Sequence, residues 1–215
     1  MTFLQNPPSK AAFKKLVKCA VTDHWENKLR GQAMFLRDKS LKYFIPESEF
    51  MSLSSSHRIF LTCGSSPYEM AKAVVQARFL SGRARVESLT KNWDLTNKDG
   101  ICQLCRMDRP LPGTIEHLLL SGGCPALADA RLSMLSMIQA YLVPRPYLLP
   151  LFEQLFGQDE KTTMQFLLDC SVLPPIIRLS QESEIPALQD IFYLTRTYVF
   201  KIFVTRRRLL GLPKR

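Results

Sequence analysis

Apolar residues recur along most of the chain with helical rather than alternating spacing. From about Lys10 to Arg37 apolar and charged positions mix without proline, which predicts one or two helices. Pro46 and the serine-rich stretch Ser52–Ser56 mark a loop. The run Ser66-Pro67-Tyr68-Glu69 has the form of a capping box, with a serine cap, proline in the first turn and glutamate three residues on. Met70, Ala73, Val74, Ala77 and Leu80 follow at helical intervals, so a helix is predicted to about Ser81, stopped by Gly82. Arg83, Arg85, Val86 and Leu89 suggest a further short helix.

The same pattern resumes after residue 124. Pro125 opens a helix to about Tyr141, with Leu127, Leu132, Leu135 and Ile138 on its apolar side, and Val143-Pro144-Arg145-Pro146 breaks it. Shorter helices are predicted over 149–156 and 161–168, and Pro174-Pro175 restarts the chain. The longest uninterrupted candidate runs from Ile185 to Leu210, with Leu188, Phe192, Val199 and Ile202 or Phe203 inward, and Lys201 and Arg208 on one side. No repeat, heptad array or low-complexity tract interrupts this order. The expected fold is all-α, with helical, bundle-like lobes over 1–95 and 126–215 around a small cysteine-rich segment at 96–125.

Composition fits a packed protein: 215 residues, 46% hydrophobic and 22% charged. No apolar run approaches the ~20 residues of a membrane span. The first residues lack a basic region followed by an apolar stretch, so no secretory signal and an intracellular location, nucleus or cytoplasm, are expected. The net charge of +10 points to an acidic partner. That charge is uneven. Residues 191–215 carry seven basic and no acidic side chains, whereas 125–190 carry four basic and eight acidic.

Six cysteines without a secretory segment disfavour a disulfide framework. Cys102, Cys105, His117 and Cys124 form the pattern Cys-x2-Cys-x11-His-x6-Cys. Two cysteines separated by two residues can aim both sulfurs at one ion through a tight knuckle, and a distant pair closes the tetrahedron. Three thiolates and one imidazole make a closed, structural Zn2+ set with no position open for a catalytic water. The bland alternative is four unlinked residues. Cys19, Cys63 and Cys170 read as core thiols. His24 and His57 read as ordinary surface or core residues.

Two stretches resemble a known family. Pro67-Tyr-Glu-Met-Ala-Lys72 with Gln76-Ala-Arg-Phe-Leu-Ser-Gly-Arg83 is one; Cys102-Gln-Leu-Cys105, Gly113-Thr-Ile-Glu-His117-Leu-Leu-Leu and Cys124-Pro-Ala-Leu127 form the other. Together they resemble the zinc-binding region that follows the polymerase domain in non-LTR (LINE-type) retrotransposon proteins. The resemblance runs from about Ser66 to Arg131 and extends, more loosely, to Leu210. It implies a zinc ion on the four named residues and contacts with element RNA or target DNA, beside a polymerase-bearing protein. The six-residue gap between His117 and Cys124 exceeds the commoner family spacing of four. The chain has no Asp-Asp pair for polymerase chemistry and no recognisable nuclease pattern, so no enzyme is expected.

The sequence therefore predicts a non-catalytic, zinc-containing module that binds RNA or DNA and does not enter membranes. Arg78, Arg83, Arg85, Arg106, Arg109, Arg206, Arg207 and Arg208 are the candidate phosphate contacts. Tyr193, Tyr198 and Phe200 are candidates for stacking on bases, against the alternative that they fill the core. The competing reading is a zinc-stapled helical module that binds another protein.

Overall fold

The computed structural model describes residues 9–35, 58–63, 65–87, 99–106, 110–148, 159–173 and 185–212, with 153 and 176 besides. Of these, 72% are helical and none forms a strand, which makes the described fold all-α. The helices in chain order are α1 (Lys10–Phe35), α2 (Arg58–Leu61), α3 (Pro67–Leu80), α4 (Ile115–Leu119), α5 (Ala128–Leu142), α6 (Glu160–Asp169) and α7 (Ile185–Leu209). No described helix is long and apolar enough to cross a membrane.

Helix α7 is the axis. Its buried face carries Ile191, Phe192, Leu194, Tyr198, Val199 and Ile202, and it packs against α3, α5 and α6. Phe79 of α3 meets Phe203 of α7 edge to face, with ring centroids 6.4 Å apart. Gln76 of α3 donates to the Leu167 carbonyl of α6 at 2.8 Å. One continuous cluster of buried apolar residues runs from Ile59 through Cys102, Leu118 and Cys124 to Ile202. The cysteine segment is thus walled into the same core as the helices on both sides of it.

Start and stop chemistry is partly as predicted. Ser66 occupies the cap of α3 in extended conformation, but its side chain caps nothing. Glu69 instead pairs with Lys72 at 2.7 Å, so the expected capping box does not form. Gly82, at φ 65°, supplies the left-handed turn that ends the helix, and the Arg83 and Ala84 amides both bond back to the Arg78 carbonyl. The short helix expected over Arg83, Arg85 and Val86 does not form: residues 83–86 are not helical, because the chain leaves Gly82 in a turn that bonds back to Arg78, while Leu89 and all of 149–156 but residue 153 lie outside the described residues.

Two expectations about burial are corrected. Leu132 is 61% exposed, because α5 turns Arg131, Met134, Ile138 and Leu142 inward instead, in line with Leu127 just before it. Cys19 is exposed rather than core, whereas Cys63 and Cys170 are buried as expected. The described side chains of α1 all face solvent, with Phe13, Leu16, Val17 and Val21 among them.

Candidate metal centre and basic cluster

Local hydrogen bonds bring the four sequence-predicted ligands together. Gly100, at φ 70°, turns the chain into the first cysteine pair, and Asp99 accepts from the Ile101 amide at 3.0 Å. An isolated antiparallel bridge between Ile101 and Pro112 closes the loop. It is flanked by bonds from the Cys102 amide to the Leu111 carbonyl and from the Gly113 amide to the Gly100 carbonyl, both 2.9 Å. The loop then leads into α4. Thr114 caps that helix by accepting from the His117 amide at 3.1 Å, which fixes the first turn and the histidine in it.

The long gap from His117 to Cys124 folds back on itself. The Cys124 amide bonds the His117 carbonyl at 2.6 Å, and the Gly123 amide bonds Leu120. Gly123 is required by space. A Cβ there would meet the His117 carbonyl oxygen at 2.0 Å, whereas Gly122 has open surroundings. Gly123→Ala is therefore expected to weaken metal binding clearly and Gly122→Ala hardly at all. A chelator competition on the two variants checks this, and equal affinities would refute it.

The Sγ atoms of Cys102, Cys105 and Cys124 and a ring nitrogen of His117 lie within 4.8 Å of one another. The Cys124 sulfur is 3.9 Å from both Cys102 and Cys105. A tetrahedron with bonds of ~2.3 Å has edges of ~3.8 Å, so these separations match the space of one ion. His117 Nε2 lies 3.0 Å from the Cys105 sulfur, with the ring edge facing the cluster. All four residues are buried. Without an ion the three thiols do not titrate alike. The neighbouring Cys124 thiol lowers Cys102 to about 5, and burial raises Cys105 to about 11. Cys124 is raised, first by its hydrogen bond to Cys102 and then by burial. The four side chains could hold a metal ion, and their chemistry suits zinc.

A second layer surrounds the ligands that spacing did not reveal. Arg131 of α5 donates to the Cys124 carbonyl at 2.6 Å and to the Leu118 carbonyl at 3.2 Å. The buried Tyr198 hydroxyl donates to the Leu119 carbonyl. Glu87 accepts from the Gln103 amide, between the first two cysteines, at 3.1 Å. The same carboxylate oxygen pairs with Arg206 of α7 at 2.7 Å. One sequence signal was available for Arg131: it interrupts the apolar register Leu127, Met134, Ile138 and Leu142.

The predicted basic residues divide. Arg78, Arg83, Arg85 and Arg208 are exposed. Arg106 is exposed too, but it is ion-paired with Asp99. Arg207 is half-buried, its guanidinium 5.6 Å from the centre of the Phe203 ring. Arg206 is buried against Glu87 and also donates to the Arg85 carbonyl at 3.0 Å. It is therefore a fastener rather than a solvent-facing charge. That bond and the Phe79–Phe203 contact place the end of α3 beside the end of α7. Arg109 lies outside the described residues. Of the aromatic candidates, Tyr193 is 43% exposed, Phe200 is half-buried against Tyr68, and Tyr198 is wholly buried.

No family model matches the chain, and no curated protein or solved structure is significantly similar to it.

Proposed function

We propose that this chain is a non-catalytic nucleic-acid-binding module whose Cys102, Cys105, His117 and Cys124 form a structural zinc knuckle. The single observation that carries the reading is the bond from Arg206 to the Arg85 carbonyl. It joins two basic runs that are far apart in sequence. The segment carrying Arg78, Arg83 and Arg85 and the one carrying Arg207 and Arg208 are thereby adjacent. Clustered arginines of this kind meet phosphates, displace condensed counterions and make affinity fall with salt.

In this reading the zinc is a staple. It holds residues 99–106, whose Gln103 amide bonds Glu87, and Glu87 holds Arg206, so the metal fixes the edge on which the arginines stand without touching the nucleic acid. The resemblance to the zinc-binding region of non-LTR retrotransposon proteins favours element RNA or target DNA as ligand and a polymerase-bearing protein as companion. A second reading, a zinc-stapled protein-interaction module, draws on the exposed apolar residues Phe13, Leu16, Val17 and Val21 of α1.

Fluorescence anisotropy of labelled RNA and DNA oligonucleotides over a salt series separates the two. The nucleic-acid reading predicts binding at ~50 mM salt and a linear fall of log affinity with log salt. Absence of binding at that concentration, or a curve flat in salt, would favour the protein-interaction module.

A further inference from the structure

Three arginines are deeply buried in the described core, and two of them have a carboxylate. Arg206 has Glu87 at 2.7 Å, and Arg196 has Glu69 at 3.8 Å in addition to the Ile59 and Thr62 oxygens. The third, Arg131, is 1% exposed. Its hydrogen bonds go only to the carbonyls of Leu118 and Cys124, and its Nε has no partner. No carboxylate among the described residues lies within ion-pair distance of it. Carbonyl oxygens satisfy donors but do not cancel a charge, and an uncompensated buried cation costs several kcal/mol. The fold must supply an anion from another source.

That source is beside it. Both carbonyls belong to the metal segment: Cys124 is a ligand residue, and Leu118 follows the ligand His117. Three thiolates around a dication leave one net negative charge, and Arg131 is the buried cation that bonds the backbone of a ligand residue directly. We infer that Arg131 is the counter-cation of a three-thiolate metal centre, so that the two buried charges neutralise each other across the Cys124 backbone. The inference rests on the metal reading above. Arg131 is thereby a positioning residue with an electrostatic share in metal affinity, separate from its grip on two carbonyls.

The test separates charge from hydrogen bonding. Zn2+ affinity is measured by competition with a chromophoric chelator, on the full chain, with circular dichroism as a check of folding. Arg131→Lys keeps the charge and loses the two-armed grip; Arg131→Gln keeps donors and loses the charge. Arg131→Gln should lower affinity by ~10–100-fold, the usual cost of losing an outer partner of a metal site, while Arg131→Lys stays within about threefold of the parent. Equal losses in both variants would overturn the inference. A second arm uses Cys105→His, which makes the centre formally neutral. Adding Arg131→Gln to it should cost less than about threefold, because the charge to be compensated is gone. The same ~10–100-fold loss in both backgrounds would show that Arg131 only holds the backbone. If Arg131→Gln does not fold, the Arg131→Lys result decides alone, a loss of tenfold or more counting against the inference. A parent chain that binds no Zn2+ would instead remove the metal reading itself.

Discussion

Cys105→Ser is expected to reduce zinc from one ion per chain to a small fraction, and to lower the stability of the whole described core. A serine hydroxyl is a poor replacement for a thiolate at a ~2.3 Å zinc bond. The consequence spreads because the centre is not a peripheral appendage. Cys102 and Cys124 are fully buried, and Leu118 and Leu119 beside His117 are fully buried in the same cluster as Phe192 and Ile202. Without the ion, three buried sulfurs must share charge in an apolar pocket. The Leu119 carbonyl that receives Tyr198 and the Cys124 carbonyl that receives Arg131 lose their anchor. Structural zinc supplies on the order of 10–16 kcal/mol in small domains. The loss should therefore exceed ~4 kcal/mol, the range in which lost metals fall. Native mass spectrometry reads the stoichiometry and chemical denaturation reads the stability. Unchanged metal content in the variant would retire the site.

Arg206→Met is expected to destabilise the fold by about 3–5 kcal/mol, the cost of stranding one member of a buried ion pair. Glu87 is 2% exposed, and one of its oxygens already lacks a partner. Its other oxygen is shared between Arg206 and the Gln103 amide. Removing the guanidinium leaves a buried carboxylate with one amide for company, and leaves the Arg85 carbonyl unmet. Adding Glu87→Gln should recover part of the loss, because the stranded charge is then gone. Urea unfolding of the two single variants and the double variant measures this coupling. Additive losses would mean that the pair does not interact as drawn. The effect should appear in metal affinity as well, since Glu87 holds the loop between Cys102 and Cys105.

The helices that the sequence disclosed best were those whose apolar spacing was long and whose ends carried glycine or proline. Helix α7 was readable because, after Pro186 in its first turn, 23 residues run without a breaker, and α3 because Pro67 and Gly82 bracket it. The four residues that could hold a metal ion were readable because ligand spacing is a short-range property of the chain. The short α4 was not foreseen. Five residues are too few to show a period, and this helix exists because Thr114 caps it and the metal segment closes over it. The second layer was hidden for a different reason. Glu87 and Arg206 meet only through the fold, and an arginine on a basic tail looks the same in sequence whether it faces water or a buried carboxylate. Arg206 was accordingly grouped with Arg207 and Arg208, although its charge is enclosed. The exposed Cys19 belongs to α1, whose apolar residues suggested a core position that its described surroundings do not provide.

If the chain binds nucleic acid as proposed, the folded cluster of arginines, not general basicity, makes the contact. The most direct measurement is the salt slope of RNA or DNA affinity, for the parent and for a variant with Arg78, Arg83, Arg85 and Arg208 all changed to alanine. Each phosphate contact contributes ~0.7–0.9 to the slope of log affinity against log salt. The variant's slope should be shallower by roughly 3 and its affinity at ~50 mM salt much weaker, with zinc content and helicity unchanged. A slope equal to the parent's would contradict it.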